Sequence, residues 1–511
     1  MATALASWRA RISHVASQPP GPTLFLGALI TAYVVIFTSL TWRHHSNFGT
    51  FGFDMGIFDQ EIWLASRFGE TFITVRGLDM WANHINPIVY ALAPFYWLGA
   101  GPKFLYFLQT AALAAGAVPL WLLARDKFGD GWLALGIPVA WLLYPSLQWM
   151  TWWHFHPDAL AVTPLIFAWW LASKGRWRWY AACVVVVLAT KEDATLPIMA
   201  LGAVVALRQN RRAGLLTFGV GALWLLTTLK LIIPHFVGQD DPFYVGQFGA
   251  LGDSMNEVVY NAIRHPSRVL DLATMPGRIE YYRKMLLPVA GLALLSPVTL
   301  LIAVPTMLVN VVNAQGYPYD FKFHYQAAVS AGIFIALVET IARRSQVGLR
   351  RFLVGLVCAA ALATNVLWAP SPLNQRVFKS GIWALTTSDH TRSMREAVRR
   401  VPTGASVSAS YNVVPHLTHR REIYEWPNPW VRSYYGISET EPALHPERVD
   451  YLVIDRGLNP ANLPMFDRLT APGGEFRILY DKNDAVLAKR VRDADVVVRT
   501  ADPRRAPRAP S

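Results

Sequence analysis

Thr23-Leu24-Phe25-Leu26-Gly27-Ala28-Leu29-Ile30-Thr31-Ala32-Tyr33-Val34-Val35-Ile36-Phe37-Thr38-Ser39-Leu40-Thr41-Trp42 contains no charged residue. As a helix rising ~1.5 Å per residue, the stretch reaches about 30 Å, the thickness of a bilayer's hydrocarbon core. No small-residue cleavage site follows it, so it is expected to be an uncleaved first span and not a signal peptide. Residues 1–22 before it carry Arg9 and Arg11 and no acid, which assigns them to the cytoplasm. Residues 43–102 after it then form a first external loop.

Composition points the same way. The chain has 511 residues, 53% apolar, 13% aromatic and only 16% charged, which excludes an ordinary soluble globule and indicates a multi-pass protein of the cell membrane. Its 47 basic and 34 acidic residues leave a formal charge of +13. Nucleic acid is not the expected partner, because the basic residues fall in short clusters between apolar runs, the pattern that orients spans in membrane lipid. Cys183 and Cys358 lie in apolar runs and behave as small hydrophobes, with neither a disulfide nor a metal assigned to them.

The basic clusters set the direction of each further run. Residues 103–124 return to Arg125 and Lys127. Residues 132–149 lead out to the aromatic belt Trp149-Met150-Thr151-Trp152-Trp153-His154-Phe155-His156-Pro157-Asp158, and 159–172 come back to Lys174, Arg176 and Arg178. Residues 179–207 are flanked by arginines at both ends, so they form a hairpin whose apex, Lys191-Glu192-Asp193, lies near the outer face. Residues 213–233 exit, and 234–284 form a polar external loop with Asp240, Asp241, Arg278 and Arg283. Residues 285–313, broken at Ser296-Pro297, cross twice; 327–342 end inside at Arg343 and Arg344; 352–369 make the last exit. The expected fold is an α-helical integral membrane domain over 23–369 with about eleven spans.

From Pro370 the composition becomes that of a soluble domain. Residues 370–494 are expected to form a small extracytoplasmic α/β unit, with a helix at 391–401 and strands at 406–410, 451–454, 476–480 and 485–488. Residues 495–511, rich in proline, alanine and arginine, are expected to be a disordered tail. No internal repeat stands out, which counts against transporter folds built from duplicated halves.

Ionisable groups near hydrocarbon are costly and mark function, and here they share one side. In the first loop, Phe51-Gly52-Phe53-Asp54-Met55-Gly56-Ile57-Phe58-Asp59-Gln60-Glu61 sets three carboxylates among aromatic residues, where a carboxylate is a candidate general base. The same side receives His84, then His154, His156 and Asp158, then Lys191, Glu192 and Asp193. Gly316-Tyr317-Pro318-Tyr319-Asp320-Phe321-Lys322-Phe323-His324-Tyr325 adds Tyr319, Asp320, Lys322 and His324. Each group also has a plain structural reading: an interfacial helix with its acids in water, belt histidines, a capped turn, charges flanking a span. Their shared side is what favours a site.

Several of these motifs together resemble a known family. Phe53-Asp54-Met55-Gly56-Ile57-Phe58-Asp59-Gln60, His84-x-x-Pro87, Phe155-His156-Pro157-Asp158, Lys191-Glu192-Asp193, Val414-Pro415-His416-Leu417 and Val449-Asp450-Tyr451-Leu452-Val453-Ile454-Asp455 look like a bacterial family of multi-pass membrane proteins. That family is catalogued as a domain of unknown function and grouped with the GT-C superfamily of membrane glycosyltransferases. The resemblance covers residues 24–489. It implies a GT-C-like fold, a polyprenyl-phosphate sugar as donor, an active site on the external face and Asp54 in the place of the first-loop acid, with Asp59 and Glu61 close behind.

The expected chemistry is inverting transfer of the sugar to an extracytoplasmic acceptor, a cell-envelope glycan, lipid or protein. An acceptor hydroxyl loses its proton to a carboxylate while phosphate leaves from the opposite face of C1. Lys191, Lys322 and Arg283 are the candidate cations for that phosphate, and His84, His156, His324 and Tyr319 the further substrate contacts. A divalent ion, magnesium, manganese or calcium, is a possible cofactor, with Glu192, Asp193 and Asp158 as its candidate ligands. Two other classes share the composition. A flippase or transporter of a lipid-linked saccharide predicts polar groups along a path through the bilayer, and a non-catalytic scaffold predicts polar groups that do not converge.

Overall fold

A computed structural model of the chain describes residues 21–237, 241–242, 244–431, 445–458 and 460–491. The expected cytoplasmic stretch, apart from its last two residues, lies outside the described residues, as do Asp240 and the expected tail 495–511.

Among the described residues, five helices are long and apolar enough to cross a bilayer: Gly21–Ser46, Pro102–Phe128, Arg211–Val237, His324–Ala342 and Val347–Trp368. The pair Gly131–Leu142 and Pro145–Trp152, bent by 49°, makes a sixth if the two are one broken span. The apolar helices Ile88–Trp97, Asp158–Ser173 and Trp177–Leu188 are shorter, and Leu287–Leu300 is a chain of short turns. The helical membrane fold is thus present, while a count of about eleven also requires the shorter pieces.

Local chemistry sets the breaks. Helix Ala117–Phe128 stops at Gly129, whose φ of 72° suits glycine. Asp130 then starts the next helix by accepting from the backbone of Trp132 and Leu133 at 2.9 and 3.0 Å. Pro145 enforces the bend after Leu142 by holding Tyr144 in extended backbone. Helices Thr195–Arg208 and Arg211–Thr227 cross so closely that a Cβ on Gly214 would stand 2.2 Å from the backbone nitrogen of Ala206, the small-residue contact that packs helices in lipid.

The hairpin inferred from flanking arginines is present as Trp177–Leu188 and Thr195–Arg208, joined by a turn at Glu192–Ala194. The first loop folds into helix Ile57–Ala65, a two-strand ribbon of β1 (Phe72–Ile73) and β2 (Leu78–Asp79), and short helix Met80–Asn83.

Near the end of the chain, β3 (Val407–Ala409), β4 (Ile423–Glu425), β5 (Tyr451–Asp455), β6 (Phe476–Lys482) and β7 (Ala485–Arg490) form one sheet of order β4-β3-β5-β7-β6. The β3 strand runs parallel to β4 and β5, and β7 antiparallel to β5 and β6. The four segments read as strands fall on β3, β5, β6 and β7, and the predicted helix falls on Asp389–Arg399. One face of the sheet packs with Phe466 and Leu469; the other buries Val407, Ala409, Val453 and Leu487 with Met394 and with Ile57, Ile73, Val75 and Met80 of the first loop. The last part of the chain and its first loop therefore share a core.

Candidate active site

Asp54 sits in a five-residue turn, Gly52–Gly56, ahead of helix Ile57–Ala65. Its φ of 65° and ψ of −80° lie where a residue with a side chain is strained, at about 1–3 kcal/mol. Neighbouring groups fix the carboxylate. The Trp153 indole donates to Oδ2 at 2.9 Å, and His156 Nε2 lies 3.2 Å from Oδ1.

His156 is held in turn. Its backbone N–H donates to Gln109 Oε1 at 2.9 Å, and its Nδ1 stands 3.1 Å from the His154 carbonyl oxygen. Its ring stacks on His324 with centroids 3.4 Å apart. Both ring nitrogens thus face oxygen atoms. Burial pushes the Asp54 carboxyl up, but His156, helped by His154 and Trp153, outweighs it and holds Asp54 below the usual carboxylate range.

The hairpin apex supplies the opposite charge. Lys191 Nζ lies 3.6 Å from Asp158 Oδ1 and 3.1 Å from Asp193 Oδ2, over the ring of Tyr325. Burial alone would drive the ammonium to lose its proton; Asp158, Asp193 and Glu192 more than offset this and hold its pKa well above the ordinary value. Glu192 joins the apex to the first loop. One carboxylate oxygen faces His84 Nδ1 at 2.9 Å and accepts from the Tyr244 hydroxyl at 3.3 Å, and the other accepts from the Ile85 backbone at 3.0 Å.

These groups line one cavity of about 470 Å³, which brings together Asp54, His84, His156, Asp158, Lys191, Glu192, Asp193 and His324. Five predicted site residues are not among its lining. Asp59 is fully buried elsewhere, between Tyr96, Thr418 and His419. Glu61 is fully buried as well and accepts from Asn86 at 3.3 Å. Arg283 is exposed and pairs with Glu280 on its own helix. Lys322 turns to Asp320 and the face of Trp149, and Tyr319 lies under the Arg278 guanidinium.

The candidate metal ligands fit a salt-bridge network better than an ion. Lys191 occupies the space between Asp158 and Asp193, and both oxygens of Glu192 are already engaged. Among the described residues, no group of three or more His, Cys, Asp or Glu side chains could hold a metal.

A family model described as "Predicted membrane protein (DUF2079)" matches residues 44–486. The chain belongs to the DUF2079 family. A comparison with curated proteins returns no match. Among solved structures, the DUF2079 chain is similar to ArnT from Cupriavidus metallidurans bound to undecaprenyl phosphate, with a TM-score of 0.51 at 12% identity over 93% of this chain and 99% of that one. At that identity the likeness concerns the fold, which is GT-C-like.

The cavity of this DUF2079 member also contains Arg76, which sequence reasoning passed over, and Trp153 and Tyr411, which it did not bring beside Asp54. Arg76, from the tight turn between β1 and β2, is buried, hydrogen-bonds to Asn83 Oδ1 at 3.1 Å and lines the cavity. Trp153 was legible only as part of an aromatic belt. Tyr411 comes from the loop after β3 and stacks on Phe51 with centroids 4.5 Å apart. Its carbonyl accepts from the Gly52 backbone at 2.7 Å, and a Cβ on Gly56 would stand 3.0 Å from Val414. The turn that carries Asp54 is therefore walled by the far end of the chain. No local pattern announces such a contact.

Proposed function

We propose that this protein is a GT-C-type glycosyltransferase. It moves a sugar from a polyprenyl-phosphate donor to the hydroxyl of an extracytoplasmic cell-envelope acceptor, from a cavity opening on the outer side of the membrane. The single observation that carries this reading is the convergence of an anchored, ionised Asp54 with two buried cations, Lys191 and Arg76, on one cavity.

In this mechanism the acceptor hydroxyl approaches C1 of the sugar from the side opposite the phosphate, and Asp54 takes its proton as the new bond forms. His156 and Trp153 keep the carboxylate aimed and ionised. As the C1–O bond breaks, negative charge builds on the leaving phosphate, where Lys191 and Arg76 stabilise it. Their burial strengthens that interaction, because little water competes. A backside displacement of this kind inverts the anomeric centre. No step is assigned to a metal ion, since Lys191 pairs with Asp158 and Asp193 and both oxygens of Glu192 are engaged.

The test is turnover of polyprenyl-phosphate sugars in proteoliposomes, with the native donor and acceptor identified by mass spectrometry of envelope glycans from a deletion strain. Asp54→Asn is expected to fold normally and to lose transfer. Undiminished transfer by Asp54→Asn removes Asp54 as the base. Saccharide movement across the bilayer without any new glycosidic bond favours a flippase instead.

A further inference from the structure

The segment between span Arg211–Val237 and the broken region after Leu286 contains helices Met255–Arg264 and Pro266–Ala273. Along Met255–Arg264, at ~100° per residue, Val258, Ala262, Val259, Ile263 and Tyr260 sweep an apolar arc of about 200°. The protein covers only one edge of that arc. Val258 is buried and Ala262 packs beside it, in one cluster with Phe248, Leu251 and Val312. Val259, Tyr260 and Ile263 are 52, 62 and 76% exposed, and Leu270 on the next helix is 63% exposed. Asn256, the polar residue within the arc, accepts from Lys230 Nζ at 2.7 Å, which moors the helix beside the end of span Arg211–Val237. That span presents Leu223, Leu226 and Leu231 outward, so the bare apolar row continues the lipid-facing surface of a membrane helix.

We propose that Met255–Ala273 is a lid lying in the membrane interface, with Val259, Tyr260, Ile263 and Leu270 sunk among the acyl chains of the leaflet on the cavity's side. A row of this size is unfavourable in water, and an amphipathic helix with a wide apolar face is the form that lies along a bilayer surface. The lid's buried edge, Val258, Val269 and Leu272, packs with Phe248 and Val309, two residues of the cavity wall. Tyr244, Gln247 and Phe248, just before it, line the cavity wall, and Gln247 is latched by Asn313 Nδ2 at 3.0 Å and by the Ala314 backbone at 2.8 Å. The lid and the turn it packs on thus run from acyl chains outside to the cavity wall inside, which makes the pair the doorway for a ligand that carries a polyprenyl tail. The doorway rests on the transferase reading above; the depth of the lid does not.

The depth is measured with a nitroxide on Ile263→Cys or Leu270→Cys, in a Cys183→Ser, Cys358→Ser background, in nanodiscs of phosphatidylethanolamine and phosphatidylglycerol. Collisions with oxygen are expected to exceed those with a water-soluble nickel chelate several-fold at both sites, and the order to reverse at Glu257→Cys on the polar face. A label at 263 as open to nickel as one at 257 overturns the surface. For the doorway, Ile263→Glu with Leu270→Glu is expected to slow association of a fluorescent undecaprenyl phosphate several-fold, with a smaller change in equilibrium affinity. Unchanged association overturns the doorway, whatever the outcome for sugar transfer.

Discussion

Asp54 and Asp59 lie in one short loop, yet the structure gives them opposite surroundings. Asp54 occupies a strained turn, faces the cavity and is held by Trp153 and His156. Asp59, on the first turn of the following helix, is sealed on both oxygens: Oδ1 accepts from the Tyr96 hydroxyl at 2.6 Å, and Oδ2 accepts from the Thr418 hydroxyl and lies 3.1 Å from His419 Nε2. Asp59 joins the first loop to the last part of the chain, as does its neighbour Gln60, whose amide donates to Thr74 and to the carbonyls of Arg420 and Arg421. Neighbouring acids in one motif thus part ways, the turn presenting Asp54 to the cavity and the helix after it securing the wall behind.

That division can be broken most sharply at Asp54. Asp54→Asn is expected to lower transfer by about 10²–10⁴-fold with little change in Tm, whereas Asp59→Asn should retain most of its turnover per folded molecule. If Asp59→Asn abolishes transfer and Asp54→Asn does not, the two roles are reversed. Lys191→Met should cost both properties, because Asp158 and Asp193 would face each other without the cation between them. A stability loss of about 3–5 kcal/mol, read by thermal unfolding in detergent, is expected.

Smaller effects sharpen the Asp59 side. Asp59→Asn leaves Tyr96, Thr418 and His419 with a poorer acceptor and should destabilise by about 1–3 kcal/mol. Burial pulls the His419 pKa down, and the charge and hydrogen bond of Asp59 more than offset this, so the folded value is raised. The pair's contribution is therefore full below the ordinary imidazole value of about 6.5 and is lost as pH rises through the raised one. Limited proteolysis at the junction should accelerate over that window in the wild type and not in His419→Ala.

Glu61 gives a test of the opposite sign. Burial pushes its carboxyl up to about 8, so an unfolded chain that ionises at ordinary carboxylate pH gains over the folded one as pH rises from that value. Glu61→Gln should raise Tm at pH 7, by an increment that shrinks toward zero below about pH 4.5. An increment that persists in acid places the effect elsewhere.

Hydropathy and flanking charge located the long spans, because a membrane-crossing helix writes its limits into contiguous residues. The hairpin at Lys191 was legible for the same reason: arginines at both ends leave a turn in the middle. Strands β3, β5, β6 and β7 were visible as short β-branched and aromatic runs. The β4 strand, only Ile423–Glu425 after two arginines, was too brief to show a period. For the cavity, sequence named residue types but not the directions of their side chains. Arg283 and Lys322 are cations in the expected regions, but their side chains turn to Glu280 and Trp149. Arg76 was missed because a lone arginine in a tight turn resembles a solvated one until the ribbon folds it inward. Asp59 and Glu61 were drawn toward catalysis by proximity to Asp54, since adjacency along a chain does not say which side of a helix meets a cavity.

The hydrogen bond from Gly52 to Tyr411 has a consequence for biosynthesis. The loop that presents Asp54 leaves the ribosome well before the segment at Tyr411 that completes its enclosure. Until that segment is synthesised and folds back, the nascent protein can be threaded into the bilayer while the Asp54 carboxylate still lacks part of its housing.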